Sequence, residues 1–331
     1  MRALDGTDMV ALVNNDAVVD AGWLAAMLDA LDRHPDAGAA AARLVLEPRF
    51  VRVGVQVRGG PAQVDSVRVD GADATTRTRF TGAARSEGRT DWPMELVHHL
   101  DGEAELLVPV GEGRHDVVLS VRGRATVTVS SGGRSAIGRT TAVASPGVVE
   151  LEVTPDDERV ELLNGLGTER NEVAESYDRH FGEANDPSEL PELSGAPTSV
   201  TGFSGGGVLL RAEMLRQVGL FDPRFFAYYE DSDLSWRAAR AGWRTVTAPS
   251  AVIRHSFGGS GGSRATGFFF LNYRNWLLTV LRNADGEVRR RALASARERI
   301  TWALRANVAS PLRHRRPPSW DLVGAWLRTL A

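Results

Sequence analysis

Apolar and polar positions follow two different rhythms along this chain. The apolar run Met9–Val13 gives way to a polar turn, Asn14-Asn15-Asp16, after which Trp23, Leu24, Met27, Leu28 and Leu31 recur at helical spacing until Pro35. That pattern predicts a strand, a turn, a helix from about Asp20 to His34, and a second strand at Ala39–Leu46, the succession of an α/β layer. From Phe50 to Arg159 the rhythm changes to period two. The predicted strands there are Glu95–Leu100, Glu105–Val110, Asp116–Val121, Ala125–Ser130 and Val148–Val153, set apart by Asp101-Gly102, Gly111-Glu112-Gly113, Arg122-Gly123 and Ser131-Gly132-Gly133. Several short strands without a helix imply a sandwich or a small barrel.

After Val160 the α/β rhythm returns. Gly202-Phe203-Ser204-Gly205-Gly206-Gly207 leads into the apolar strand Val208–Leu210, then a helix at Ala212–Val218 closed by Gly219. Phe221-Asp222-Pro223 and the acidic cluster Glu230-Asp231-Ser232-Asp233 precede a helix through Arg240 that Gly242 ends. A strand at Trp243–Thr247, a strand-like Ala251–Arg254, His255 and a Gly/Ser-rich loop at 257–263 follow. The expected organisation is therefore an α/β domain in two pieces, 1–50 and 160–280, around a β-rich insert at 51–159, with a helical tail at 281–331.

Composition narrows the chemistry. The 331 residues include no Cys, and all 39 Lys and Arg residues are Arg. Disulfides, thiolate metal sites, cysteine nucleophiles, Schiff-base lysines and a P-loop lysine are excluded. Any metal must be held by oxygen or imidazole. The net charge of −3 hides an asymmetry: from Arg282 to Ala331 eleven Arg face four acids, a balance of +7 that leaves −10 elsewhere. Trp302, Trp320, Trp326, Leu293, Ile300, Leu304 and Leu327 lie among those Arg residues. Basic amphipathic helices of this kind either lie on an anionic membrane surface or pack on the main domain. Nucleic acid is not expected as a partner, because the acidic remainder repels phosphate. The start of the chain carries no signal-peptide pattern and no apolar run reaches about 18 residues. The expected location is cytoplasmic, either free or peripheral on the inner membrane face.

Three motifs carry candidate chemistry. An apolar strand ending in Asn14-Asn15-Asp16 sets a carboxylate at the C-terminal edge of a sheet, where open α/β folds bind ligands. Asp16 is thus either an oxygen ligand for Mg²⁺ or Mn²⁺ or a turn residue. Glu230 and Asp231 follow the aromatic stretch Phe225-Phe226-Ala227-Tyr228-Tyr229; they either complement the helix dipole or include a general base tuned by that wall. His255 can share a divalent metal with a carboxylate, and the loop after it, with Arg264, can close over a diphosphate or serve as a flexible linker.

In combination and order, these stretches resemble the family 2 glycosyltransferases of the GT-A fold, which is Rossmann-like, particularly those that transfer rhamnose or galactofuranose to cell-surface polysaccharides. The resemblance rests on Leu12-Val13-Asn14-Asn15-Asp16-Ala17 with Gly22-Trp23-Leu24; Gly202–Arg211; Val218–Asp222; Phe226–Arg237; Ala241–Arg244; His255; and Tyr273-Arg274-Asn275. Leu163-Asn164-Gly165-Leu166-Gly167 also resembles a family stretch. The resemblance implies a metal site at Asp16 completed by His255, with Asn14 and Asn15 in the metal-turn motif. It implies Asp231, beside Glu230, as the base that deprotonates the acceptor hydroxyl. Gly205 and Gly206 would admit the donor sugar, while Trp236 and Arg237 would support the acceptor and the diphosphate. The implied partners are a nucleotide-sugar donor and a glycan or lipid-linked acceptor; the implied cofactor is a divalent cation, Mg²⁺ or Mn²⁺, and transfer proceeds with inversion.

Two departures from the family pattern stand out. Only about a dozen residues precede the metal turn, where two or three βα units of roughly 30 residues each would hold the nucleotide in a parallel sheet. The chain is accordingly expected to be a truncated transferase or a non-catalytic remnant, one that binds sugar or needs a partner polypeptide to complete its sheet. The second departure is the β-rich insert, read as a carbohydrate-binding module or a structural one.

Overall fold

The computed structural model describes residues 4–75, 77–87, 97–123, 125–131, 141–144, 147–154, 157–256, 266–313, 320 and 324. The chain divides into two compact units, one formed by 1–45, 163–181 and 186–331, the other by 46–162 and 182–185.

The first unit opens with β1 (Met9–Val13), β2 (Ala17–Val19), α1 (Trp23–Arg33) and β3 (Ala37–Leu46). α1 begins after Gly22, whose φ of 81° only glycine adopts readily, and buries Met27, Ala30 and Leu31. The run Ala39-Ala40-Ala41-Ala42 makes β3 slim enough to be covered on both faces.

The second unit contains β4 (Phe50–Val69), β5 (Ala72–Asp73), β6 (Arg79–Glu87), β7 (Val97–Pro109), β8 (His115–Gly123), β9 (Thr126–Ser131), β10 (Thr141–Ala144), β11 (Gly147–Val153) and β12 (Arg159–Val160). They form one sheet around a valine-rich core. Its spine is β4, in which Val51, Val53, Val55 and Val57 point inward. Gly59 and Gly60, at φ 90° and 133°, interrupt the register before Ala62. The interruption lets one strand serve two neighbours: β9 pairs with Val53–Arg58 and β8 with Ala62–Val69. The period-two reading anticipated alternation here but not a single strand of this length. It also placed a turn at Asp101-Gly102, whereas both residues lie inside β7. Gly102, at φ 73°, sits opposite Val57 where the register shifts, so the glycine accommodates an irregularity in a continuous strand.

The chain returns to the first unit with β13 (Leu163–Leu166), β14 (Thr168–Arg170), β15 (Ser176–Asp178), β16 (Ser199–Val200), β17 (Gly207–Arg211), α2 (Ala212–Val218), α3 (Glu230–Arg240), β18 (Arg244–His255), α4 (Thr266–Asn283), α5 (Gly286–Leu304) and α6 (Ser310–Arg313). The main sheet runs β1-β17-β3-β18-β16, with β13 on β3 and β2 on β18. β17 is antiparallel to both β1 and β3, so these two run parallel to each other with β17 between them. β17 is entered from the Gly-rich loop at 202–206 and not from a crossover helix, as an antiparallel strand allows. α1 covers one face over Leu44, Val246 and Ile253, and α2 and α3 cover the other over Val208 and Leu210.

α4 and α5 pack through Trp276, Val280, Ala292, Ala296 and Ala303. Asp285 caps α5 by accepting from the Glu287 and Val288 N–H groups at 2.9 Å. The buried side of α5 is an alanine stripe, whereas Leu293 and Leu304, expected on an apolar face, are exposed. Trp326 and Leu327 lie outside the described residues. No described helix is long and apolar enough to cross a membrane.

Candidate functional site

The acidic cluster divides cleanly between two tasks. Asp233 is fully buried and structural: it accepts from Arg237 Nε at 2.7 Å, Asn283 Nδ2 at 2.9 Å and Arg282 Nη1 at 3.2 Å, tying α3 to α4. Asp231 faces the other way. Its Oδ2 accepts the Gly205 N–H at 2.9 Å and its Oδ1 the Ser232 N–H at 2.6 Å. Burial raises the Asp231 carboxyl above its ordinary range, and these N–H donors act against that rise by stabilising the anion.

Glu230 and Asp178 share this neighbourhood. Burial first, and the adjoining Asp231 charge second, push each of them up to about 7. Glu230 Oε2 is buried with no hydrogen-bond partner among the described residues. Three carboxyls this close do not all ionise at neutral pH. The one supplied with N–H donors, Asp231, is best suited to hold the negative charge.

The backbone ahead of α3 presents this cluster in an unusual conformation: Phe226, Tyr228 and Tyr229 all have φ between 63° and 68°. Fully buried Asn275 fixes the segment. Its Nδ2 donates to the carbonyls of Phe225 at 2.9 Å and of Ala227 and Tyr228 at 2.7 Å. Arg274 adds a bond to the Phe225 carbonyl at 3.1 Å. Asn275 matters here although no chemical role could be read for it; the Tyr273-Arg274-Asn275 match was its only signal.

A second cluster forms where β1 meets the end of β18. His255 Nε2 lies 3.2 Å from Asp16 Oδ1 and 3.1 Å from Asn14 Nδ2, while its Nδ1 lies 2.7 Å from Asn164 Oδ1. The Ser256 N–H donates to the Asp16 carbonyl at 3.0 Å, locking turn and strand together. Nε2 and a carboxylate oxygen thus stand 3.2 Å apart, close to the spacing of two neighbouring ligands on one divalent ion with bonds of about 2.1 Å. That donor set fits a divalent ion that completes its shell with substrate phosphate and water. Among the described residues no group of three or more His, Asp or Glu could hold a metal by itself.

The two clusters meet at Gly205-Gly206. The Gly205 N–H reaches Asp231, and the Gly206 carbonyl accepts the Asn14 N–H at 3.3 Å. A Cβ on Gly205 would meet only ordinary contacts beyond 3.8 Å, so its observed part is that of a donor. The close-packed glycine is the next one: a Cβ on Gly207 would lie 2.7 Å from Ile253 Cδ1 and 2.8 Å from Leu44 Cδ2.

Other candidate residues are not brought in. Asn15 is exposed in its turn. Arg237 donates to Asp233, to the Val218 carbonyl at 2.6 Å and to the Leu220 carbonyl at 3.0 Å, so its guanidinium is occupied in packing and not directed at a diphosphate. Trp236 packs on the α4–α5 cluster and carries the Arg170 guanidinium 4.5 Å from its ring centre. Arg264 and the loop at 257–263 lie outside the described residues.

With this geometry established, comparison with known proteins becomes informative. Residues 169–281 match the family described as Glycosyl transferase family group 2. That span contains Asp178, Gly205, Gly206, Glu230, Asp231, His255 and Asn275, but not the Asn14–Asp16 turn. A stretch of 73 residues is 42% identical to N-acetylglucosaminyl-diphospho-decaprenol L-rhamnosyltransferase of Mycobacterium tuberculosis, in both the CDC 1551 and H37Rv strains. This covers 22% of the chain and 21% of the relative, so the match spans about a fifth of the length of these curated relatives. No solved structure matches the chain.

Proposed function

We propose that this protein is a family 2 glycosyltransferase of the GT-A type that moves a sugar from a nucleotide-diphosphate donor to a hydroxyl of a lipid-linked or polysaccharide acceptor. The observation that carries the reading is the two-residue bridge at Gly205-Gly206, which joins a carboxylate suited to proton abstraction to a turn suited to a divalent cation. Asp231 takes the proton of the attacking acceptor hydroxyl. Glu230, raised to about 7, keeps its proton below neutral pH and is then available to donate a hydrogen bond to a substrate oxygen. Displacement by that hydroxyl inverts the anomeric carbon. Asp16 and His255 would hold a Mg²⁺ or Mn²⁺ ion, which when bound neutralises the charge of the departing diphosphate.

The mycobacterial relatives act on a decaprenol-linked saccharide by name, which favours a lipid-linked acceptor and rhamnose as the donor sugar. The basic residues from Arg282 onward, with Leu293 and Leu304 exposed, are suited to peripheral contact with the anionic membrane that would carry such an acceptor. Residues 51–159 would be an inserted module. The test is transfer of radiolabelled sugar from nucleotide-diphosphate donors, rhamnose first, to a prenyl-diphosphate-linked saccharide, with and without chelator. Transfer that chelator abolishes and Mg²⁺ or Mn²⁺ restores is the expected result; chelator-insensitive transfer removes the metal from the reading, and no transfer from any donor removes the reading itself.

A further inference from the structure

The stretch Leu163-Asn164-Gly165-Leu166-Gly167 contains β13 (Leu163–Leu166), which pairs with β3, and the pairing slips at one place. Leu163 lies opposite Val45 and Gly165 opposite Leu44, so Asn164 is an extra residue with no partner across the ladder. Such a bulge re-aims a side chain. The Asn164 side chain, 2% exposed, reaches Nδ1 of His255 with its Oδ1 at 2.7 Å and Oδ2 of Asp178 with its Nδ2 at 3.1 Å.

The directions of these hydrogen bonds place the hydrogens between them. Ionised, or protonated on its other oxygen, Asp178 accepts the amide N–H of Asn164 at Oδ2, which turns the carbonyl of Asn164 towards the imidazole. A carbonyl only accepts, so the proton of neutral His255 resides on Nδ1. Nε2 then carries its lone pair beside Asn14 Nδ2 at 3.1 Å and Asp16 Oδ1 at 3.2 Å. Gly165 belongs to the same device: a Cβ there would come within 2.9 Å of the Asp178 Cβ, so only glycine leaves room for that carboxyl.

We propose that Asn164, held by Asp178, is a positioning residue that fixes the tautomer of His255 so that Nε2 is presented to a divalent cation beside Asp16. The inference rests on the metal-dependent reading above. Outer-shell partners of metal-binding histidines commonly orient the ring and raise its basicity, and their loss costs about 10–100-fold in metal affinity. Asp178 also adjoins Asp231 electrostatically, so this pair lies between the two clusters of the site.

The test uses the full chain labelled with ¹⁵N-histidine, with the His255 signals identified by their loss in His255→Gln. In the wild-type protein at neutral pH, His255 should show a protonated Nδ1 and a pyridine-like Nε2. Asn164→Ala should move the proton largely to Nε2 and weaken Mn²⁺ binding, measured with inorganic pyrophosphate present, by about 10–100-fold. Should that variant fail to fold, Asp178→Leu removes the anchor of the amide and should have the same two effects, while Asp178→Asn, which keeps an acceptor, should restore the wild-type tautomer. A wild-type His255 protonated on Nε2, or an unchanged tautomer in both Asn164→Ala and Asp178→Leu, overturns the proposal. A wild-type protein with the expected tautomer that binds no Mn²⁺ defeats the metal reading alone and leaves the hold of Asn164 on the ring demonstrated.

Discussion

The backbone N–H of Gly205 donates to the carboxylate of Asp231 at 2.9 Å. One residue further on, Gly206 accepts from Asn14, so a short glycine segment joins a half-buried acid at the head of α3 to the turn that ends β1. Segments far apart in sequence are thereby held at hydrogen-bond distance, and the candidate site depends on that backbone more than on the absence of side chains.

Neighbouring glycines should therefore respond differently to alanine. Gly205→Ala keeps the N–H and meets only ordinary contacts, so stability should change by less than about 1 kcal/mol. Gly207→Ala forces a methyl against Ile253 and Leu44 and should cost about 1–3 kcal/mol. Urea unfolding of both variants provides the comparison.

Asn275→Ala removes the donor that holds three carbonyls of the segment before α3. The expected loss is about 1–3 kcal/mol of stability, together with a fall in kcat, since Glu230 and Asp231 directly follow that segment. Hydrogen exchange should show faster opening at 225–231.

Burial, with the Asp231 charge second, raises Glu230 from its ordinary 4.5 to about 7 and Asp178 from 3.8 to about 7. The folded protein consequently binds more protons than the unfolded chain between those values, and stability falls as pH rises through that window. At about 1.4 kcal/mol per pKa unit, and allowing for mutual coupling and partial exposure, the loss is on the order of 2 kcal/mol. Glu230→Gln should flatten this dependence and stabilise the protein at pH 8 relative to wild type. Denaturant midpoints at pH 5 and pH 8 measure both.

Arg237 stands only 11% exposed against a fully buried Asp233, so Arg237→Leu removes one of the two cations on that carboxylate and leaves it to Arg282 and Asn283. The expected cost is about 1.5–3 kcal/mol, that of a lost hydrogen bond to a charged group. For protein that remains folded, the KM for the donor should be unchanged, because the guanidinium is engaged in packing rather than in substrate contact.

Much of this was legible in the residues themselves. The apolar spacing of α1, the Gly219 and Gly242 stops and the polar ending of β1 are local signals, and the elements they mark lie within a few residues of expectation. What was hidden is what depends on pairing. Nothing local shows that Asp101-Gly102 continues a strand, since that rests on the register with β4. Asp231 and Asp233 look alike in sequence and separate only because the helix turns one towards Gly205 and the other towards Arg282 and Asn283. Asn164 carries no local signal beyond the resembling stretch it belongs to, for a bulge is a property of two strands together. The apolar residues of α5 divide for a related reason: close packing against α4 selects alanines with Ile300 and Trp302, and leaves Leu293 and Leu304 outside.

The most direct measurement compares sugar transfer by the wild-type protein and by Asp231→Asn, with donor binding followed alongside. Asparagine retains the shape and can still accept the Gly205 N–H but cannot take a proton. The account predicts transfer by the wild type, a loss of about 10²–10⁴-fold in kcat for the variant, and donor affinity largely intact. A variant that turns over at the wild-type rate would contradict it.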